Sequence, residues 1–386
     1  MNAPLASLEI AAAASVEDEM PALLAEIRSR RAEFVAAQKI PSDLIERFKR
    51  IGVYRAMVAK RFGGEERTPA EFCRLIERIS EADGSAGWVA SFGSAACYLA
   101  GLPEATLRKV YSKGPDVVFA GGLFPLQPAR RTPEGLVVNG VWKFGSGCMG
   151  AELIGAGILI EGDATGGLPR VAVMPADKVT IRPNWDVIGL QGTGSHDIVI
   201  KDVVVPEEWT LIRGGPASID APIYRYPSMA FAAQVLAVVA LGVARSAVDD
   251  FVVMAGGRAS ITGAPLMADR GYIQLEVARA EAMLRSARTF FYDATEELWG
   301  EVRAGKPAQK TVALMRLAAT NAARSGAEVA RIVCNLAGTG AIGTTDNLAR
   351  AMCDSLVVAQ HAFLSEGTLQ SAGRIFLGLE AQPGFP

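Results

Sequence analysis

The sequence has few of the residues that metal sites and disulfide frameworks require. Of its 386 residues, two are histidine (His196 and His361) and five are cysteine, which are widely spaced and form no Cys-x-x-Cys pair. Two imidazoles nearly exclude a His-ligated metal site, and an odd number of scattered cysteines argues against both a disulfide framework and a zinc site. We therefore expect reduced, mostly buried cysteines and chemistry that needs no metal.

A strong charge of either sign is also missing. Lys and Arg number 39 and Asp and Glu 41, a formal net charge of −2, so nothing favours nucleic acid or an anionic membrane as a partner. The most apolar stretch, 229–244, is interrupted by Gln234 and is shorter than the roughly 20 residues of a membrane span. It predicts a buried bundle helix. The residues up to about Met20 lack the basic region of a secretory signal, so we expect a flexible leader and a cytoplasmic protein.

Three stretches of different periodicity divide the chain. From Pro21 to about Tyr111, apolar residues recur at spacings of three and four and predict helices, with starts at Pro41-Ser42-Asp43 and at Pro69. From about Val117, short runs rich in Val, Ile and Gly predict strands at 117–120, 136–144, 153–160, 171–174 and 198–205. After Pro206 the helical period returns, with helices predicted at 230–251, 272–299, 311–336 and about 347–369.

This order predicts an α+β protein. Its expected parts are a flexible leader at 1–20, an N-terminal helical domain at 21–116, a middle β-barrel or sheet domain at 117–214, and a C-terminal four-helix bundle at 215–386. Half of the residues are apolar, so the chain can bury a large interior. The long C-terminal helices can also present a face to other copies of the chain, and we expect a homotetramer.

The end of the second predicted strand carries the first candidate site. Residues 142–148 read Trp-Lys-Phe-Gly-Ser-Gly-Cys. Strand alternation would place Trp142, Phe144 and Ser146 on one face, where an aromatic wall and a hydroxyl would suit a flat ring system. The same spacing also fits a core aromatic pair followed by a Ser-Gly turn.

Two further segments contain groups that suit an anion or a ring carbonyl. Residues 188–197 read Ile-Gly-Leu-Gln-Gly-Thr-Gly-Ser-His-Asp, where three glycines can expose several backbone N–H groups. The segment does not match Gly-x-Gly-x-x-Gly and no βαβ unit surrounds it, so a Rossmann nucleotide site is not expected. Arg258 and Arg270, beside predicted helix starts, are either phosphate ligands or solvated cations.

The last predicted helix carries two candidate bases. His361 is flanked by apolar residues, so it is either a core histidine or a functional one. Glu366 begins a Glu-Gly-Thr break where a side chain can turn into a cavity. Either group can act as a general base, an assistance typically worth about 10²–10⁴-fold in rate.

Taken in order, these segments resemble the acyl-CoA dehydrogenase superfamily from about Pro21 to Leu379. Residues 61–64 (Arg-Phe-Gly-Gly) and 80–88 (Ser-Glu-Ala-Asp-Gly-Ser-Ala-Gly-Trp) resemble its N-terminal helical domain, and residues 189–206 resemble its β-domain signature. Within the superfamily, residues 142–147 together with Gly-Thr-Gly-Ser-His-Asp at 192–197 resemble the oxygenase components of two-component flavin-dependent monooxygenases of group D.

The resemblance implies a cofactor, a partner and a reaction. The cofactor would be reduced FMN or FAD (FMNH2 or FADH2), delivered by a separate NAD(P)H:flavin reductase. Dioxygen would form a C4a-hydroperoxyflavin, which would hydroxylate a small aromatic substrate of the phenol or indole type. No metal would be needed, and the sequence does not distinguish FMN from FAD.

Carried over residue by residue, the resemblance also implies roles for individual side chains. His361 would bind or deprotonate the substrate, and Ser146 would hydrogen-bond near N5 of the flavin. The other implied cofactor-binding residues are Trp142 and Phe144 as walls of the isoalloxazine, Thr193 and Ser195 at its edge, Arg258 at a phosphate, and Gly338, Thr339 and Gly340 from a neighbouring subunit.

Two departures leave alternatives open. Residues 94–97 are Ser-Ala-Ala-Cys, where several phenol hydroxylases of this group carry a histidine, so the substrate pocket is expected to differ. Residues 365–368, Ser-Glu-Gly-Thr, resemble the Tyr-Glu-Gly-Thr of many acyl-CoA dehydrogenases, whose glutamate removes an α-proton. The alternative function is therefore an FAD-dependent acyl-CoA dehydrogenase or desaturase with Glu366 as its base.

Overall fold

The computed structural model describes residues 16–163, 165, 168–257 and 265–382, with a sheet between two sets of helices. The helices are α1 (Val16–Ser29), α2 (Arg31–Ala37), α3 (Ser42–Arg50), α4 (Pro69–Ala82), α5 (Gly84–Ser91), α6 (Ala96–Leu99), α7 (Glu104–Val110), α8 (Ser228–Gly257), α9 (Gly271–Ala304), α10 (Gln309–Ala337), α11 (Asn347–Ala359) and α12 (Glu366–Phe376). The strands are β1 (Phe119–Thr132), β2 (Gly135–Gly145), β3 (Leu153–Leu159), β4 (Arg170–Pro175), β5 (Thr180–Arg182), β6 (His196–Val205) and β7 (Thr210–Ile212).

Two of the N-terminal helices begin where the sequence predicts. α3 starts at Ser42, directly after Pro41, and α4 starts at Pro69. The Thr68 hydroxyl accepts the backbone N–H of Glu71, whose carboxylate accepts the N–H of Thr68, so two backbone donors at the start of α4 are satisfied. The apolar faces of these helices join one large core with the C-terminal helices.

The leader predicted at 1–20 is too long at its C-terminal end. α1 already begins at Val16, and Met20 is buried in the core. Met20 stands three and four residues before Leu23 and Leu24, which are also buried, so it belongs to the same apolar stripe of the helix.

The sheet has seven strands in the order β5-β6-β2-β1-β3-β4-β7. β1 and β3 are parallel, and the other neighbours are antiparallel. A second, smaller core lies within this sheet region and contains Trp142, Ile154 and Ile198.

The structure extends one predicted strand and adds two short strands that the sequence does not predict. β1 runs to Thr132 although it contains Pro125 and Pro128, because its pairing with β3 is interrupted between Gly122 and Gln127 and the prolines sit in or beside that irregularity. β5 and β7 have only three residues each and lie at the two edges of the sheet. Strands this short leave no alternation that a sequence can reveal.

The C-terminal helices α8 to α11 pack on one another, with α12 against α10. α8 is long and apolar enough to cross a membrane, but 89% of its most apolar window is buried inside the protein. It packs against α4, α10 and α11 as a core helix, in agreement with the prediction for this stretch.

The prediction of a single last helix at about 347–369 is wrong. The chain leaves the helix after Ala359 and starts α12 only at Glu366, with a short 3₁₀ turn at Ala362–Leu364 between them. The cause is local, because the ring of His361 accepts the N–H of Phe363 and so competes with the helical hydrogen bonds.

Candidate active site

Trp142 and Phe144 do not share a face, contrary to the prediction from alternation. Trp142 is completely buried in the sheet core, where its indole N–H donates to the Gly157 carbonyl at 2.9 Å. The pairing of β2 with β6 shifts between Trp142 and Gly145, and Phe144 takes a left-handed φ of 61°. This bulge re-aims the Phe144 ring, which is 68% exposed. Trp142 therefore cannot wall a flavin from its observed position, whereas Phe144 can.

A second aromatic ring stands beside Phe144. The Trp185 ring meets it edge to face, with centroids 6.2 Å apart. The ring of His196 supports this loop, since its Nδ1 accepts the backbone N–H groups of Asn184 at 3.0 Å and Trp185 at 3.1 Å. Burial lowers the pKa of His196, which favours the neutral ring that these bonds require. His196 thus positions Trp185.

Three hydroxyls next to this platform form one hydrogen-bonded chain. Ser146 Oγ lies 2.7 Å from Ser195 Oγ, and Ser195 Oγ lies 2.7 Å from Thr193 Oγ1. Thr193 donates to the Leu190 carbonyl at 2.9 Å, and the indole N–H of Trp88 donates to Ser146 at 3.1 Å. The structure therefore brings together three predicted residues that are up to 49 positions apart in the sequence.

The two ends of this chain determine its direction. Each hydroxyl has one proton, the Leu190 carbonyl can only accept, and the Trp88 indole N–H can only donate. Thr193 must therefore accept a hydrogen bond from Ser195, and Ser195 must accept one from Ser146. Ser146 Oγ uses one lone pair for Trp88 and keeps the other, so it can accept a hydrogen bond from a ligand without disturbing the chain.

His361 lies close to Trp88, at the break between α11 and α12. The two ring centroids are 5.8 Å apart. His361 Nδ1 accepts the N–H of Phe363 at 3.2 Å, so the neutral ring carries its proton on Nε2. Burial lowers the pKa of His361 to about 4. Near neutral pH, the ring is therefore uncharged and presents an Nε2–H donor.

The glycines of residues 188–197 allow close packing. A Cβ atom on Gly189 would lie 2.3 Å from the Cys353 carbonyl oxygen, and one on Gly192 would lie 2.7 Å from Cβ of Phe34. The N–H of Gly192 donates to Ser85 Oγ at 3.1 Å, and the N–H of Leu190 donates to Asp354 Oδ1 at 2.5 Å. These two N–H groups already have partners within the protein and are therefore not available to an anion.

Sequence reasoning missed the buried acids behind this loop. Asp83 and Asp354 are both buried, and Arg350 lies 3.5 Å from Asp83. Burial raises the pKa of Asp354 to about 7, and the neighbouring charge of Asp83 adds to the shift. Asp354 ties the loop to α11, and no local pattern in the sequence marks such a contact across 164 positions.

The remaining predicted residues do not join the hydroxyl chain. The Glu366 side chain is 84% exposed and pairs with Arg324 at 3.3 Å, so the prediction of an enclosed base at this position is wrong. Gly338 and Thr339 are exposed, and Gly340 partly so, in a 3₁₀ turn between α10 and α11. Arg258 lies outside the described residues.

Family models match both helical parts of the chain. The model of the acyl-CoA dehydrogenase N-terminal domain matches residues 12–110, and the model of the acyl-CoA dehydrogenase C-terminal domain matches residues 234–366.

Curated relatives match nearly the whole chain. The indole-3-acetate monooxygenase of Acinetobacter baumannii is 49% identical over 99% of this chain and 99% of its own length. The enzyme of the same name from Pseudomonas putida is 52% identical over 93% of this chain and 92% of its own length. The oxygenase component of an FADH2-dependent resorcinol hydroxylase from Rhizobium sp. is 30% identical over 67% of both chains.

The fold also matches a solved structure. The 3-HSA hydroxylase from Rhodococcus sp. RHA1 superposes with a TM-score of 0.88, covering 96% of this chain and 98% of that chain at 23% identity. The arrangement of helices, sheet and helices is therefore that of this enzyme.

Proposed function

Since this chain belongs to the acyl-CoA dehydrogenase superfamily and is the oxygenase component of a two-component flavin-dependent aromatic monooxygenase, we propose that its substrate is indole-3-acetate or a closely similar arylacetate. The observation that carries the proposal is the identity of 49% and 52% with two indole-3-acetate monooxygenases over almost the full chain. The sequence-based prediction of a reduced-flavin aromatic hydroxylase is confirmed, and the dehydrogenase alternative loses its base because Glu366 is exposed.

The described residues fit a reduced flavin. Phe144 offers an exposed aromatic surface beside Trp185, which suits the face of a flat ring system. Ser146, two residues after Phe144, begins the chain of hydroxyls with Ser195 and Thr193 and offers a free lone pair. We assign the cofactor to Phe144 and these three hydroxyls. Bound there, reduced flavin supplies the electrons that activate dioxygen for insertion of one oxygen atom into the aromatic ring.

The protein's own part in the reaction is positioning and exclusion of water. His361, neutral and beside Trp88, would donate its Nε2–H to the substrate or to the oxygen being transferred. With Nδ1 already occupied, this donor role fits the ring better than proton abstraction does. Trp88 connects the two sides of the site, because its ring packs near His361 and its N–H anchors Ser146.

Two partners belong to the proposal. A separate NAD(P)H:flavin reductase would supply the cofactor, and we propose that both proteins are cytoplasmic. The exposed apolar side chains of Val252, Val253, Tyr272, Leu275 and Met283 on α8 and α9 support assembly into a homotetramer, with Gly338 to Gly340 near a neighbouring copy. Light scattering on the purified protein tests the assembly, and a monomer would contradict it.

The substrate proposal is tested by single turnover. The protein is mixed anaerobically with photoreduced FMN or FAD and indole-3-acetate, and then exposed to ¹⁸O₂. We expect a product that has gained one labelled oxygen atom, detected by mass spectrometry, with phenol and resorcinol oxidised less efficiently. Formation of hydrogen peroxide with no labelled organic product from any arylacetate would contradict the proposal.

A further inference from the structure

A cavity of about 250 Å³ lies where the N-terminal helices, the end of the sheet and the start of α8 meet. Its lining includes Cys97 and Tyr98 of α6, Arg213 directly after β7, and Ser228 and Phe231 of α8. The volume is slightly below the roughly 300–1,000 Å³ typical of small-molecule pockets, so it suits a small ligand or one end of a larger one. Cys97 belongs to the segment in which the sequence departs from the phenol hydroxylases.

Arg213 is the only strongly basic side chain among those five, and it is 91% buried, since its relative exposure is 9%. Its guanidinium carbon lies 3.4 Å from the centroid of the Tyr98 ring, so the group is stacked flat on that ring. Its Nη1 has no hydrogen-bond partner among the described residues. No carboxylate in this part of the structure forms an ion pair with it.

No Asp or Glu is among the described residues that line the cavity, so no carboxylate there neutralises this cation. Burial raises the pKa of Cys97 to about 12, so its thiol stays uncharged. Arg225, which also lines the cavity, pairs with Asp220 and thereby occupies that acid. A buried arginine is normally compensated by a hydrogen-bonded anion. The Nη1 group, which has no partner among the described residues, is therefore available to an anion from outside the chain.

Neutral donors stand beside the charge. The hydroxyls of Ser228 and Tyr226 line the same cavity, and that of Ser228 also lacks a partner among the described residues. The walls are held in place by backbone contacts, since Arg213 N–H donates to Pro169 O at 2.8 Å and Ser218 N–H donates to Ala100 O at 2.8 Å. A fork-shaped cation with adjacent hydroxyl donors, already in place, matches the planar geometry of a carboxylate.

Two helical segments connect this cavity to the candidate active site. Tyr98 stands near the end of the helical run that begins with α5 and carries Trp88, and α8 packs against both α5 and the turn that follows His361. The run from α5 to α6 therefore carries both Trp88 and the cavity residue Tyr98, and α8 both contacts the turn after His361 and lines the cavity with Ser228 and Phe231.

We infer that Arg213, stacked on Tyr98 and assisted by Ser228, binds the carboxylate of an arylalkanoic acid substrate and makes the enzyme select acids over the neutral parent ring. The inference rests on the proposed function, because it names the group of the substrate that this chain recognises. It also predicts which ligands bind when no reaction takes place.

The test compares indole-3-acetate with 3-methylindole, which keeps the ring and lacks the carboxylate. The measured quantity is the ratio of kcat/KM for the acid to that for the neutral compound, with flavin and reductase present. In Arg213→Met we expect this ratio to fall by at least about 100-fold, the size of effect expected when a buried charged partner is removed. In Arg213→Lys the ratio should fall less, because lysine keeps the positive charge but not the fork-shaped group that binds a carboxylate with two hydrogen bonds.

The matched control is Arg108→Met, which removes an exposed arginine of α7 that pairs with Glu104 and does not line the cavity. Its ratio should equal that of the wild type. If Arg213→Met does not fold, Arg213→Lys and Ser228→Ala carry the same comparison. An unchanged ratio in the folded Arg213 variants, with a wild type that oxidises both compounds, overturns the inference.

Calorimetric titration separates this inference from the proposed function. If the wild type oxidises no arylacetate, the proposed function fails, but binding of indole-3-acetate to the wild-type protein with oxidised flavin, lost in Arg213→Met, still supports a carboxylate site. If no arylacetate binds in an Arg213-dependent manner, the inference fails whatever the enzyme oxidises.

Discussion

The bond between Trp88 and Ser146 yields a prediction that can be worked out in energy. Both residues are buried, and their contact of 3.1 Å joins the two sides of the site. In Ser146→Ala, the indole N–H of Trp88 stays buried without an acceptor, which typically costs about 1–3 kcal/mol. In Trp88→Phe the donor is gone as well, so the same alanine substitution should cost less.

We therefore expect the double variant to be more stable than the sum of the single effects by about 1 kcal/mol, within the range of roughly 0.5–3 kcal/mol for contacting pairs. The measurement is urea unfolding followed by far-ultraviolet circular dichroism, at one fixed protein concentration so that any assembly contributes equally. Ser355→Ala, whose hydroxyl bonds only within α11, serves as the control partner for Trp88→Phe and should be additive to within about 0.5 kcal/mol.

The same variants have a catalytic consequence. Loss of the Ser146 acceptor, worth about 1–3 kcal/mol, should move the partition of reduced flavin from product toward hydrogen peroxide by roughly 5- to 150-fold. Peroxide and product are quantified in the same single-turnover sample. If the two substitutions add within error, or if Ser146→Ala leaves the peroxide yield unchanged, the assignment of this hydroxyl is wrong.

Three further results are expected. Because burial holds the pKa of His361 near 4, the wild-type rate should not change between about pH 6 and 8 on account of this ring. His361→Asn should lower kcat/KM by roughly 5- to 100-fold without creating a pH dependence in that range. A limb of the wild-type pH–rate profile with a pKa near 6.5 that disappears in the variant would contradict this. The pKa of Asp354 is raised from its ordinary value of 3.8 to about 7, so its contribution to stability is largest below pH 4 and is lost as pH rises toward 7. Asp354→Asn keeps an oxygen for the Leu190 N–H, so this variant should unfold at a higher urea concentration than the wild type at pH 8 and lose that advantage at pH 4. Equal dependence of stability on pH in the two proteins would refute the reasoning. Glu366→Gln should change hydroxylation less than about twofold, because the exposed pair with Arg324 is worth little, and a loss of about 100-fold would restore Glu366 as a base.

The fold was largely readable from periodicity. The apolar patterns of the long helices α8, α9 and α10 and of the strands β2, β3, β4 and β6 predict these elements close to their observed positions, whereas the prediction at 117–120 covers only the start of β1. The break at His361 is not predicted, because it depends on a single ring competing for one backbone N–H. The short edge strands β5 and β7 likewise depend on pairing partners rather than on their own residues.

The site was only half predictable, and for a related reason. Ser146, Ser195 and Thr193 were chosen from motifs, and the structure joins them. The role of Trp142 is predicted from strand alternation, which holds only in a regular strand. The bulge at Phe144 makes the strand irregular, so Trp142 and Phe144 do not share a face. Asp354 and Arg213 offer no local signal at all, since their importance lies in burial and in the partners that distant segments supply or withhold.

The chain of hydroxyls has an electrical consequence. With Ser146, Ser195 and Thr193 all oriented toward the Leu190 carbonyl, their three bond dipoles point the same way and reinforce one another. The negative end of this aligned series is the oxygen of Ser146. A ring N–H group is attracted to this oxygen, whereas a ring nitrogen that has only a lone pair is repelled. Ser146 therefore favours the form of a heterocycle that carries hydrogen on its nitrogen over the form that does not, before any reaction begins.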